Sequence, residues 1–109
     1  MGDEGDRTIT FDSRRLRHSF KHAAHFGING NANSVTLLAF EAALATHVNA
    51  EATEMRSGTY RQTAVTHFID QSTRLNVMRD RNGKFLSGWA LSEMQLAYLL
   101  STGKLGGGL

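Results

Sequence analysis

The chain has no cysteine and no proline. Without thiols there is neither a disulfide framework nor a thiolate metal site. The fold must therefore hold in either redox compartment, which suits a domain that crosses between compartments. No apolar run approaches the roughly 20 residues of a membrane span, and no signal peptide is visible. Any export signal is expected on sequence outside these residues. Tryptophan is scarce, with Trp89 alone, and the net charge is only +2. The 109 residues, 40% of them hydrophobic, fit one domain with a single core, and disorder is not expected.

Charge placement says more than its total. Basic residues gather in Arg14, Arg15, Arg17 and Lys21, and again in Arg74, Arg79, Arg81 and Lys84. Two such patches are compatible with a phosphate-bearing partner and equally with an ordinary soluble surface. The stretch Arg14–His25 sharpens the choice. Read as a helix, it puts Leu16, Phe20, Ala23 and Ala24 on a core stripe and Arg14, His18, Lys21, His22 and His25 on another. Three imidazoles within about two turns can take and give protons near neutral pH. A neighbouring lysine would depress the pKa of His22 and hold an anion.

Residues 1–12 are polar and contain glycine, so they read as a flexible leader before a domain over 13–109. Ser13 is the expected N-cap of the first helix, which ends near Gly27. Residues 27–33 form a loop by composition. Asn33 or Ser34 caps a second helix to about Asn49, with Leu37, Phe40, Leu44 and Val48 inward and His47 a satisfied structural histidine. Strand patterns follow over 59–62, 64–70, 74–80 and 84–90, with turns at 70–73 and at Asn82-Gly83. Ser92 and Gln95 form a capping box, Leu91 and Leu96 a hydrophobic staple, and the last helix stops at Gly103. Residues 106–108 read as a frayed end. The order predicts an α+β domain: two N-terminal helices, an antiparallel meander of about four strands, and a C-terminal helix.

A two-residue Asn82-Gly83 loop would pair Arg79 with Leu86, Val77 with Gly88 and Leu75 with Ala90. One face then carries Leu75, Val77, Leu86 and Ala90 as core. The other carries Asn76, Met78, Phe85, Ser87 and Trp89. With an even loop after Asp70, Phe68 faces Leu75 and His67 lies opposite Asn76, in one row with Trp89. A polar-aromatic face of this kind is either a site or simply the wet side of a sheet.

Several chemistries fit poorly. There is no P-loop and no nucleophile elbow for serine hydrolysis. A two-metal site needs clustered carboxylates; His18 and His22 form an i, i+4 pair, but no acidic partner accompanies them. Metal-free acid–base work on RNA fits best. Ribose brings its own nucleophile, the 2′-hydroxyl. The protein must add a group of near-neutral pKa, cations for the phosphate and a stacking surface. His22, Lys21, Ser87 and Trp89 supply these.

The segments FKHAAHFG (20–27), GTYR (58–61), VTHF (65–68), LNVM (75–78) and GKFLSGW (83–89) resemble the nuclease domain of the colicin D family. Similar domains form toxin tips of contact-dependent growth inhibition proteins. The resemblance spans about Leu16 to Leu105. It implies a barnase/RelE-like ribonuclease fold and an endonuclease of the tRNA anticodon loop that needs no metal or other cofactor. It also implies a cognate immunity protein that blocks the site. By position, the catalytic residues would be His22, Lys21, Ser87 and Trp89; Arg17, His18, Thr59, Tyr60, Arg61 and His67 are candidates for substrate binding. A further family lysine falls on Ser19, a departure for which Arg17 or His18 would compensate. The implied setting is delivery as the C-terminal part of a larger secreted or surface toxin. It would act in the target cytoplasm, as a monomer apart from the immunity complex. A non-catalytic RNA- or protein-binding module and a metal-dependent DNA nuclease are the competing readings.

Overall fold

The structure, a computed structural model, describes residues 6–106. Helix α1 (Ser13–Ser19) runs directly into a 3₁₀ helix (Phe20–Phe26), followed by α2 (Ser34–Asn49). Strands β1 (Glu54–Tyr60), β2 (Thr63–Ile69), β3 (Leu75–Asp80) and β4 (Phe85–Ala90) form the meander, and α3 (Glu93–Thr102) leads into a short β5 (Lys104–Leu105). The sheet order is β4-β3-β2-β1-β5, with β5 parallel to β1 and the other pairs antiparallel. The α+β class is therefore the expected one, with one more strand. Among the described residues no helix is long and apolar enough to cross a membrane.

Capping chemistry fixes the helix ends. Asn33 accepts the N–H groups of Val35 and Thr36, and Thr36 Oγ1 returns the bond to the Asn33 N–H. Ser92 and Gln95 do the same for α3. The first helix departs from expectation at both ends. Its cap is Asp12, whose carboxylate accepts the Arg15 N–H, rather than Ser13. After Ser19 the helix tightens to 3₁₀, where side chains at i and i+3 eclipse. Part of the expected leader is tied to the sheet. Residues 1–5 lie outside the described residues, but Thr10 bonds Gly83 and Phe85 through its backbone, and Phe11 packs on Phe85 with ring centroids 5.3 Å apart.

The sheet is buried on both faces, not half-wet. Phe68, Val77 and Phe85 pack under α1 and α2 with Leu16, Phe40, Leu44 and Val48. Val65, Ile69 and Met78 pack on the other side with Leu91, Leu99 and Leu105. Two details of register correct the expectation. The β3–β4 loop has three residues, closed by bonds between Asp80 and Lys84, with Gly83 at φ 83° as its left-handed residue. Arg79 thus pairs with Phe85, not Leu86, and a bulge beside Arg79 restores the expected pairs Val77–Gly88 and Leu75–Ala90. Phe85 therefore moves to the helix-covered core and Leu86 to the opposite side. Across β2–β3, His67 pairs with Met78 and Ile69 with Asn76. His67 keeps the expected face but sits two residues from its expected row.

Gly58 shows why one position in β1 has no side chain. A Cβ there would lie 2.0 Å from the Gly103 carbonyl oxygen, where the chain returns to form β5.

Candidate active site

One cleft of about 790 Å³ opens where α1 and the 3₁₀ helix meet the β4 edge and the β1–β2 turn. Its walls include Arg15, His18, Lys21 and His22 from the opening helices, Tyr60, Arg61 and Thr63 from the turn, Leu86, Ser87 and Trp89 from β4, and Gln95 from α3. Among the described residues these walls carry two histidines, three other cationic side chains and no carboxylate. Among the described residues no cluster of three or more His, Cys, Asp or Glu side chains has metal-binding geometry. A smaller hollow of about 330 Å³ lies behind the 3₁₀ helix; Lys21 is the one titratable group it shares with the cleft.

The 3₁₀ turn builds one edge of the cleft. Eclipsing of i and i+3 brings the His22 and His25 rings to 5.8 Å between centroids. His25 accepts the Ala90 N–H at its Nδ1, 2.9 Å away. That bond satisfies an outward donor of the edge strand and pins the helix to β4. His22 then lies against Trp89, with centroids 5.4 Å apart and planes 35° apart. Burial comes first, and then the neighbouring His25, Lys21 and His18, in holding the His22 pKa below its ordinary value. A neutral imidazole therefore predominates near pH 7, ready to accept a proton.

Ser87 is reached from the same helix: buried Ser19 hydrogen-bonds its hydroxyl at 3.4 Å. The position where the family resemblance called for a lysine thus holds a group that orients Ser87. The β4 bulge explains why Leu86 and Ser87 both line the cleft, since a bulge suspends alternation. Tyr60 approaches Trp89 to 5.9 Å, and the Arg61 guanidinium lies 5.3 Å from the Tyr60 ring centre. Arg61 and Gln62 hold φ of 50° and 72°, a hairpin geometry that normally recruits glycine or asparagine. Two strained non-glycine residues thus present the Arg61 side chain at the rim.

The structure gathers His22, Lys21, Ser87 and Trp89 around one cleft, joined by His18, Tyr60 and Arg61. Arg17 is exposed and does not line it. Thr59 offers only its backbone, to Gly103 and to His67. His67 is buried beneath the cleft rather than in it. Its Nδ1 accepts from Asn76 at 3.1 Å and its Nε2 donates to the Thr59 carbonyl at 3.1 Å. Burial lowers its pKa, and this bonding suits the neutral ring. Sequence reasoning gave no site role to Arg15, Thr63, Leu86 or Gln95. Arg15 was visible as part of the basic run, but straight helical spacing put Arg14 on the site face instead.

The sequence pattern of the family described as Colicin D matches residues 15–99. A ribonuclease from Escherichia coli, solved in complex with its inhibitor protein, is similar at 33% identity and a TM-score of 0.74; the match covers 83% of this chain and 99% of that one. Among curated proteins, none matches the chain.

Proposed function

The chain belongs to the colicin D family, and from that membership and its cleft we propose that it is the ribonuclease domain of an antibacterial toxin. Its proposed substrate is the anticodon loop of tRNA, and a cognate immunity protein neutralises it by covering the cleft. The observation that carries this reading is the His22 ring set against Trp89 among Arg15, Lys21 and Arg61, without a carboxylate in the cleft wall among the described residues. The similar Escherichia coli ribonuclease, bound to its inhibitor, supports both activity and partner.

The chemistry follows from these groups. Neutral His22 removes the proton from a ribose 2′-hydroxyl. The 2′-oxygen attacks the adjacent phosphorus and the bond to the 5′-oxygen breaks. The products are a 2′,3′-cyclic phosphate and a 5′-hydroxyl, whose oxygen takes its proton from water at the open mouth of the cleft, beside exposed His18, and His22 then returns its proton to solvent. Lys21, Arg15 and Arg61 balance the charge that grows on the phosphoryl oxygens, and the Ser87 hydroxyl donates to one of them. Trp89 and Tyr60 offer faces for a splayed base. The donor set of the cleft, cationic and free of carboxylates among the described residues, favours a route without metal. Delivery by a larger surface or secreted toxin, and action in the target cytoplasm, belong to the same proposal.

Incubation of the folded protein with total tRNA in EDTA tests it. Fragments with 2′,3′-cyclic ends, mapped by primer extension to an anticodon loop, are the expected result. Intact tRNA at high protein concentration would overturn it, and salt-dependent binding that is unchanged in His22→Ala would instead mark a binding module. Chelator-sensitive nicking of plasmid would mark a metal-dependent DNA nuclease.

A further inference from the structure

We propose that Gln95 determines nucleotide specificity: its side-chain NH₂ group donates to the C4 or C6 carbonyl of the base stacked on Trp89. This cleft would then favour the keto bases uracil and guanine over the amino bases cytosine and adenine. The inference rests on the ribonuclease reading above and adds to it a base preference and the residue that imposes it.

The argument starts from a cap. Gln95 Oε1 accepts the Ser92 backbone N–H at 3.0 Å. A backbone N–H can only donate, so the atom facing it is the amide oxygen. The same oxygen accepts the Trp89 indole N–H at 3.4 Å. Two donors thus fix the orientation of the carboxamide. Its Nε2, with two hydrogens, makes no hydrogen bond among the described residues, and the side chain lines the cleft. An indole N–H bond lies in the ring plane, so the carboxamide sits at the edge of Trp89. A base stacked about 3.5–4 Å above the indole places its own edge over that carboxamide.

Capping alone does not ask for glutamine. Glutamate fills the same place in a capping box, and its charge suits a helix N-terminus. What glutamate lacks is the donor. A fixed donor distinguishes uracil O4 from the cytosine amino group and guanine O6 from the adenine amino group.

Gln95→Glu tests this directly, because a carboxylate keeps both accepted bonds and replaces the donor by an acceptor. The substrates are RNA hairpins built on the site cut in total tRNA, in sixteen versions that vary both nucleotides at the scissile step. The readout is the ratio of kcat/KM between keto and amino versions, in which uniform repulsion of RNA by the new charge cancels. The wild type is expected to favour keto bases at one of the two positions by about three- to tenfold, the worth of one hydrogen bond. Gln95→Glu should invert that preference, and Gln95→Ala should bring it close to one. A uniform drop in rate with unchanged ratios in both variants would overturn the proposal. Failure of the wild type to cut any RNA would overturn the ribonuclease reading, and this inference with it.

Discussion

Under the helices, His47 is buried and gives its Nε2–H to the Phe68 carbonyl at 2.9 Å. Beneath the cleft, His67 is fully buried between Thr59 and Asn76. At the cleft wall, His22 has aromatic rings and cations around it but no hydrogen-bond partner among the described residues. Burial lowers the pKa of all three. The contrast teaches that a depressed pKa does not by itself mark a catalytic histidine. In the core, both the proton and the lone pair of His67 are spent on the fold. At the cleft edge, among the described residues, no partner occupies either ring nitrogen of His22, as the proposed role as base requires.

Substitution should break that contrast in opposite ways. His22→Ala is expected to lower the cleavage rate by about 10²–10⁴-fold while leaving the melting temperature within a few degrees of wild type, as activity assay and calorimetry would record. Phe68→Ala, in the helix-covered core, is expected to cost about 3–5 kcal/mol of stability with the rate per folded molecule nearly kept; urea denaturation measures the first and active-site titration the second. His67→Ala should fall between these in kind. It strands the Thr59 carbonyl and the Asn76 amide, costing about 1–3 kcal/mol per group, and any loss of rate should track loss of fold.

Acid sharpens the comparison further. Each of these histidines binds its proton less readily in the folded chain than in the unfolded one. The unfolded state therefore takes up more protons as pH falls below about 6.5. This contribution to stability is present above that value and is lost below it, by up to about 1.4 kcal/mol per pH unit for each of the buried His47 and His67 and by less for the partly exposed His22, until the folded pKa is passed. Urea midpoints between pH 7.5 and 5 should show this. The loss should shrink in His47→Gln, which removes one of the buried titrating rings. For cleavage, the acid limb of kcat/KM should lie below about 6.5. Lys21→Met should move that limb upward by removing a repelling charge. The smallest effect is expected at the rim: Gln62→Gly should add about 1 kcal/mol by relieving its left-handed conformation, seen as a higher urea midpoint.

The legible parts of this fold were those written in local chemistry. Asn33 announced α2, Ser92 and Gln95 announced α3, and Gly103 announced its end, because capping involves residues three or four apart. The Leu75–Ala90 end of the hairpin was readable through alternation. Where two local errors cancel, the sequence misleads: a three-residue loop and a bulge together restore the register of a two-residue loop, and only Phe85 and Leu86, between them, change sides. The Arg61-Gln62 turn carried no glycine or asparagine to mark it. The two residues of β5 show no periodicity at all. Within the site, His22, Lys21, Ser87 and Trp89 stood out by chemical type and motif. Arg15 and Gln95 did not, because their place depends on how the 3₁₀ turn and α3 sit against β4.

The sequence by itself determined which chemistries were within reach: no thiol, a run of imidazoles and cations on the opening helix, and a single indole on a strand. It also determined the helix caps and the α+β order, since these follow from composition and short-range bonding. Which histidine meets that indole, and which is buried for good, was decided only by tertiary structure. Ring contacts of this kind join residues more than sixty positions apart. Their geometry depends on the pinning of the 3₁₀ helix to β4, on the β4 bulge and on the packing of both sheet faces, none of which is a property of any short stretch of chain.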